Sequence, residues 1–318
     1  MMNETDICKV AVVGAGYMAK EHILAFQDIE GVEIVGITSR TRKRAEEVAD
    51  SFNIQNVCDS VSELYVKTKA DLVVVSVPEL SANKVSKACF EFPWTVLLEK
   101  PAGYNLQDAK DILTCAQMKN SNAYVALNRR HYSSTRIALN GLSDNENARW
   151  IYVQDQQDQV VAQSSGQPKE VVDNWMYANS VHVIDYFKLF GRGEIKSVEQ
   201  IVPWSPQSPW LVVAKIIFDS GDVGLYEGIW CGPGPWSVSI STTEKRWEMR
   251  PLEQVRCQNA GERTVESLEL HEWDQQFKPG LRLQAQEAVL AAAGKENNLP
   301  TLQDAFDSMK LVNSIFKV

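Results

Sequence analysis

The chain has 318 residues, 44% of them hydrophobic and 23% charged, with a formal charge of −9 at pH 7. Such a length buries a sizeable core and predicts two domains. The acidic balance excludes non-specific nucleic-acid binding, because phosphate contacts need a basic surface, and no apolar run approaches membrane-spanning length. Six cysteines (Cys8, Cys58, Cys89, Cys115, Cys231 and Cys257) lie far apart with no C-x-x-C pair, and the four histidines are equally scattered. They read as reduced thiols, with no disulfide frame and no metal centre. The N-terminal MMNETDICK carries no apolar signal-peptide core, so a cytoplasmic location is expected.

The first predicted element lies in Lys9–Leu24, KVAVVGAGYMAKEHIL. The apolar run Val10–Val13 ends in Gly14-Ala15-Gly16-Tyr17-Met18-Ala19 and passes directly into a helical pattern. This is the strand, glycine turn and helix of a dinucleotide-binding fold. Gly14 permits a tight turn, Gly16 lets the backbone approach a pyrophosphate, and Ala19 keeps the helix close to the strand. The competing reading is the same turn holding no ligand.

The second strand, Val32–Thr38, is followed by Ser39-Arg40-Thr41-Arg42-Lys43-Arg44. An NAD-specific site would place an acidic residue at this strand end for the ribose hydroxyls. Here a hydroxyl and several cations stand there, which favours NADP(H) over NAD(H). Arg40 is the residue retained; Arg42, Lys43 and Arg44 also read as solvated charges on the helix ending near Phe52. Ser60 and Glu63 have capping-box spacing.

Asp71–Pro78, DLVVVSVP, is nearly continuously apolar, as a strand covered on both faces should be. A helix follows over about 82–90, then the strand Trp94–Leu98 with Glu99-Lys100-Pro101 at its C-terminal end. Open parallel sheets bind ligands outside their strand C-termini, so Lys100 projects where chemistry would occur. Asn105–Met118 is helical, and Ala123–Leu127 is a strand ending at Asn128-Arg129-Arg130. Residues 1–127 are thus predicted to form a doubly wound α/β Rossmann domain.

The pattern changes in residues 128–318, a predicted α/β domain for substrate binding and oligomerisation. A helix over Ser134–Leu142 precedes the strand Ala148–Gln156. Gln157–Pro168 reads as a mobile loop, and Ser180–Phe190 as a helix. From Ile195 to about Trp273, alternating runs without intervening helices predict an open, mostly antiparallel sheet. Trp204, Trp210, Trp230, Trp236 and Trp247 lie in or beside its strands. A face that rich in large residues suggests a homodimer or homotetramer formed through the sheet, which a monomer-only sedimentation profile at micromolar concentration would exclude. Two helices, about 280–293 and 301–316, close the chain.

The motifs GAGYMAKEH, Glu99-Lys100-Pro101, Asn128-Arg129-Arg130 and NSVHVID (Asn179–Asp185) resemble those of the glucose–fructose oxidoreductase / inositol dehydrogenase / MocA family, in its order and at its spacing. The resemblance implies an NAD(P)-dependent oxidoreductase acting on a sugar, nucleotide sugar, cyclitol or similar polyol, and a Lys100-Pro101 bond that is often cis. Two departures stand out. Ala178 occupies the position where relatives commonly carry Asp, four residues before the catalytic His, and Ala82 stands where they often carry His.

A nicotinamide moves a hydride without the accompanying proton, so a side chain must handle that proton. Lysine, with an unperturbed pKa of ~10.4, is a poor base at neutral pH unless burial and a nearby cation lower it. His182 titrates in the useful range without such help. His182 is therefore assigned as the acid/base, and Lys100 as the group that orients and polarises the substrate oxygen. Asn179, His182 and Asp185 share a helix face at i, i+3 and i+6, so that Asp185 could fix the imidazole tautomer.

The candidate cofactor set is Gly14, Gly16, Tyr17, Met18, Ala19, Ser39, Arg40, Ser76, Pro78, Glu99, Lys100 and Asn128. The candidate substrate set is Asn128, Arg129, Trp175, Asn179 and His182, with Trp175 stacking on a sugar face. Packing is the competing reading for Asn128, Arg129 and Trp175, and an ordinary helix start for Asn179 and His182. His22 and His271 read as structural. Two alternatives for the whole chain remain: a cofactor-binding regulator that has lost catalysis, or an enzyme using tightly bound cofactor transiently for elimination or hydrolysis.

Overall fold

Valine-rich runs alternating with helices build the N-terminal sheet. In the computed structural model, which describes residues 7–143 and 145–318, the strands are β1 (Cys8–Val13), β2 (Val32–Thr38), β3 (Asn56–Cys58), β4 (Leu72–Val75), β5 (Thr95–Glu99) and β6 (Ala123–Ala126). The reading of the first residues as lacking a leader falls largely on 1–6, outside those described. All six strands run parallel in the order β3-β2-β1-β4-β5-β6. The order reverses between β1 and β4, the point at which such sheets open a ligand crevice.

The connecting helices are α1 (Tyr17–Gln27), α2 (Arg42–Phe52), α3 (Val61–Thr68), α4 (Glu79–Cys89) and α5 (Leu106–Met118). Successive β1 residues serve opposite faces, as the pleat requires: Val10 and Val12 pack with Ile23 and Phe26, Ala11 and Val13 with Val73, Val75 and Trp94. At the start of α3, Ser60 Oγ accepts from the Glu63 amide at 3.1 Å, while Glu63 Oε2 accepts from the Asp59 amide at 2.8 Å. The reciprocal bond thus falls one residue before the cap.

Beyond residue 128 the elements are α6 (Ser133–Leu142), β7 (Trp150–Gln157), α7 (Gln159–Ser164), α8 (Lys169–Asp173) and α9 (Val181–Phe190), then β8 (Ile195–Val202), β9 (Leu211–Phe218), β10 (Val223–Trp230), β11 (Ser237–Ser241), β12 (Lys245–Met249), β13 (Arg256–Asn259) and β14 (Glu266–Ser267). Their sheet has the order β14-β13-β12-β11-β7-β10-β9-β8, with β7 and β10 parallel and the other neighbours antiparallel. The expected open, mostly antiparallel sheet is present.

Two local expectations give way. The stretch predicted as a mobile loop over 157–168 contains α7, because Asp158 Oδ1 accepts from the amides of Val160 at 2.9 Å and Val161 at 3.0 Å and caps it. Among the tryptophans assigned to the open face, Trp204, Trp230 and Trp247 are buried. Trp204, Trp230 and Phe316 instead form one aromatic cluster. The exposed indoles are Trp150 and Trp210.

The chain ends with α10 (Trp273–Gln276), α11 (Leu281–Ala292) and α12 (Leu302–Phe316). It divides into two compact units, one taking the chain through Asn128 together with Trp273–Phe306, the other Arg129–Glu272 together with Asp307–Val318. A single cut after residue 127 does not anticipate that return. Its physical reason is that Leu281, Ala285 and Ala288 of α11 complete the apolar layer around Ile23 and Phe26. The Val125 amide also donates to Pro300 O at 2.9 Å. Among the described residues all six cysteines are free, and no helix is long and apolar enough to cross a membrane.

Candidate functional site

In the first unit the candidate residues lie at or just beyond the C-terminal ends of β1, β2, β4, β5 and β6. Gly14 has φ +121°, and a Cβ there would lie 1.8 Å from Ser76 O. The turn is tied to both neighbouring strands: the Gly14 amide donates to Thr38 O at 2.8 Å and the Ser76 amide to Val13 O at 2.8 Å. Gly16 caps α1 without a side-chain bond, and a Cβ on it would meet nothing within 4 Å. Unserved amides facing open space at a helix N-terminus fit a pyrophosphate. Ala19 is fully buried beneath, as the third small position requires.

A cleft beside this turn is lined by Ala15, Gly16, Tyr17, Lys20, Arg44, Glu47 and Val48. Arg44, which the sequence left among the solvated charges, therefore stands close to Gly16. Arg42 does not: it pairs with Glu46 at 2.9 Å and with Asp59. Arg40 is exposed, next to half-buried Ser39. Tyr17 is 64% exposed, with the Lys278 ammonium 5.5 Å from its ring. Met18 is half-buried, and Pro78 caps α4.

At the end of β5, Glu99 Oε1 lies 2.7 Å from Nε2 of the fully buried His22. Glu99 Oε2 accepts from the Lys100 amide at 3.2 Å, and the Lys100-Pro101 bond is cis. His22 is thus structural in a specific sense, since it anchors the carboxylate that precedes Lys100. Asn128 is buried and donates from Nδ2 to Pro279 O at 3.1 Å.

In the second unit, a π-helical turn over Met176–Ser180 leads into α9. The wider turn breaks the simple helical spacing expected between Asn179 and His182. Asp185 is also occupied elsewhere. Arg130 donates to both of its oxygens at 2.7 Å, and Ser308 Oγ to Oδ1 at 2.6 Å. The proposed tautomer-fixing role therefore gives way to a structural ion pair.

Asn179 Nδ2 and Trp175 Nε1 each donate to Gln157 Oε1 at 2.8 Å. Gln157 Nε2 in turn donates to Asp155 Oδ1 at 2.6 Å, and the Tyr226 hydroxyl to Asp155 Oδ2 at 2.7 Å. Burial pushes the Asp155 carboxyl above its ordinary value, against the lowering effect of Ser180, Tyr226, Gln157 and the Arg129 charge. The Trp236 ring lies 6.2 Å from that of His182, which is 7% exposed. Sequence reasoning passed over Asp155 and Gln157, although two polar residues on the buried side of an alternating strand are a readable signal. It placed Trp236 only on the sheet.

His131 is buried, and its pKa is lowered to about 3 by burial first, then by Arg136 and Arg130. The folded state keeps it neutral, whereas an unfolded histidine takes up a proton near pH ~6.5. Stability is then full above that pH and falls as the pH drops toward the folded value, by at most ~1.4 kcal/mol per unit. Denaturant titrations at pH 5 and 7 should show a smaller loss for His131→Gln than for wild type. Equal losses would remove this account.

Residues 8–127 match the family described as oxidoreductases with an NAD-binding Rossmann fold. Over that segment the chain is similar to the Gfo/Idh/MocA family. Among curated relatives, the 4-carboxy-2-hydroxymuconate-6-semialdehyde dehydrogenase of a Sphingobium species is 26% identical over 56% of this chain and 58% of that one. The inositol 2-dehydrogenase of Mycolicibacterium smegmatis is 30% identical over 33% of this chain and 31% of that one. The match thus spans between about a third and three fifths of these relatives. The fold extends further. A dehydrogenase from Chromobacterium violaceum superposes with a TM-score of 0.83 at 16% identity, covering 98% of this chain and 94% of that one. A levoglucosan dehydrogenase in complex with NADH does so with a TM-score of 0.81 at 17% identity, covering 98% and 96%.

Proposed function

We propose that the chain is an NAD(P)-dependent oxidoreductase acting on the hydroxyl or carbonyl of a sugar, nucleotide sugar or cyclitol, with NADP(H) favoured. The observation that carries this reading is the Gly14–Gly16 turn at the β1/β4 reversal, beside the Glu99-Lys100-Pro101 end of β5 in the same unit. The family match over residues 8–127 and the printed activities of the relatives point the same way.

Bound nicotinamide would supply or accept a hydride at the reacting carbon. The chain's own residues do the rest. Lys100 Nζ orients the substrate oxygen and polarises it, while the Lys100 backbone amide is held by Glu99, itself anchored by His22. His182 takes the hydroxyl proton in oxidation and returns it in reduction. Asn179 and Trp175, fixed by Gln157, present a polar group and an aromatic face to the substrate. Arg40 and Arg44 supply positive charge for a 2′-phosphate, and the β2 end carries no carboxylate at Ser39 or Arg40.

Two measurements test this. Fluorescence titration should give NADPH a tighter Kd than NADH by ~10-fold or more, and Arg40→Ala should bring the ratio close to unity. A polyol and sugar panel should show nicotinamide reduction with at least one member. Cofactor binding without any reduction would favour the regulatory alternative that Ala178 motivates.

A further inference from the structure

Two adjacent arginines open the second unit, and they differ in what holds them. Arg130 is saturated by the two oxygens of Asp185. Arg129 makes no side-chain hydrogen bond or ion pair to any described residue, and its Nε is buried without a partner. Its guanidinium carbon instead lies 4.7 Å from the centre of the Trp236 ring.

That ring is a fixed platform, because Trp236 Nε1 donates to Gln156 O at 2.7 Å. A guanidinium lying against an indole keeps its N–H edge for acceptors in its own plane, which suits the two oxygens of a carboxylate or phosphate. The Arg129 charge acts on the Asp155 carboxyl, whose oxygens already accept from Gln157 and Tyr226, and on the Tyr186 hydroxyl. The His182 ring lies 6.2 Å from the same indole. One aromatic surface thus carries an uncommitted cation and borders the acid/base imidazole.

We infer that the substrate is an anionic sugar or polyol, a uronate, aldonate or sugar phosphate, whose anion is bound by Arg129 on the Trp236 platform. This rests on the oxidoreductase reading above and narrows it. A neutral polyol would leave a partly buried cation unpaired in the complex, whereas an anion removes that penalty.

The test compares D-glucose, D-glucuronate and D-glucose 6-phosphate, with inorganic phosphate as the bare anion. Calorimetric titration of the NADPH-loaded protein reads binding whether or not turnover occurs. At least one anionic member should bind ~10–100-fold more tightly than glucose, the scale of a charge-assisted hydrogen-bond pair. Arg129→Gln should collapse that ratio toward one, and Arg129→Lys should retain part of it. In kinetics the loss should fall on KM more than on kcat. Equal affinity for neutral and anionic sugars, or a ratio unchanged in Arg129→Gln, overturns the inference. Anion-selective binding lost in Arg129→Gln but without turnover of any sugar would leave the subsite standing and sink the oxidoreductase reading.

Discussion

Replacing Lys100 or His182 with alanine is expected to lower kcat by ~10²–10⁴-fold while leaving the cofactor Kd within about threefold of wild type. The size follows from the proton. Transfer of a hydride from an alcohol carbon leaves a protonated carbonyl unless a base removes that proton, and proton transfer by a positioned side chain contributes on this scale. His182, in the first turn of α9 and nearly buried, is assigned that transfer. The oxidation rate should therefore show a limb that rises with pH, and the His182→Ala variant should lose this limb. Lys100→Ala would remove the charge proposed to polarise the oxygen, so its loss should appear in kcat at every pH. If either variant retained more than about a tenth of wild-type turnover, the role given to that residue would be withdrawn.

The second large effect lies at the glycine turn, where two neighbouring glycines should respond differently. Gly14→Ala places a methyl 1.8 Å from Ser76 O at a φ of +121°. Backbone oxygen cannot yield as a side chain can, so a cost of ~3 kcal/mol or more is expected, lowering Tm by roughly 6–12 °C. The displaced turn should also weaken cofactor binding by ~10–100-fold through lost pyrophosphate hydrogen bonds. Gly16→Ala is different, since its φ is −87° and its Cβ would meet nothing within 4 Å. It should leave Tm within about 2 °C, a cap change costing tenths of a kcal/mol to ~1. Cofactor affinity should still fall, because the methyl would enter the space proposed for the pyrophosphate. Scanning calorimetry with NADPH titration separates the two cases. A Gly14→Ala protein with wild-type Tm and affinity would disprove the turn's role.

Most of the fold was legible because its signals are local. Val10–Val13 and Asp71–Pro78 are continuous apolar runs bounded by turns, and the alternation after Ile195 has the period of a strand. The errors arise where tertiary partners decide. Nothing in the run Gln157–Pro168 shows that Asp158 will cap a helix, and no indole reveals from sequence which side of a strand it will occupy. The reading of Asp185 failed for a related reason. Helical spacing assigned it to His182, whereas Arg130, 55 positions earlier, and Ser308, 123 positions later, hold its oxygens. Asp155, Gln157 and Trp236 escaped because their importance lies in contacts to Asn179, Trp175 and Arg129 across elements that periodicity cannot pair.

The return of Trp273–Phe306 to the first unit bears on how the molecule can be dissected. The polypeptide crosses from one unit to the other after Asn128, after Glu272 and again after Phe306. A fragment stopping at Asn128 would lack Leu281, Ala285, Ala288 and Leu302, and would leave Ile23, Phe26 and Trp94 short of apolar neighbours. The nucleotide-binding half is therefore not excisable as one uninterrupted piece. Exchanging it between relatives would require grafting two separate stretches of chain together.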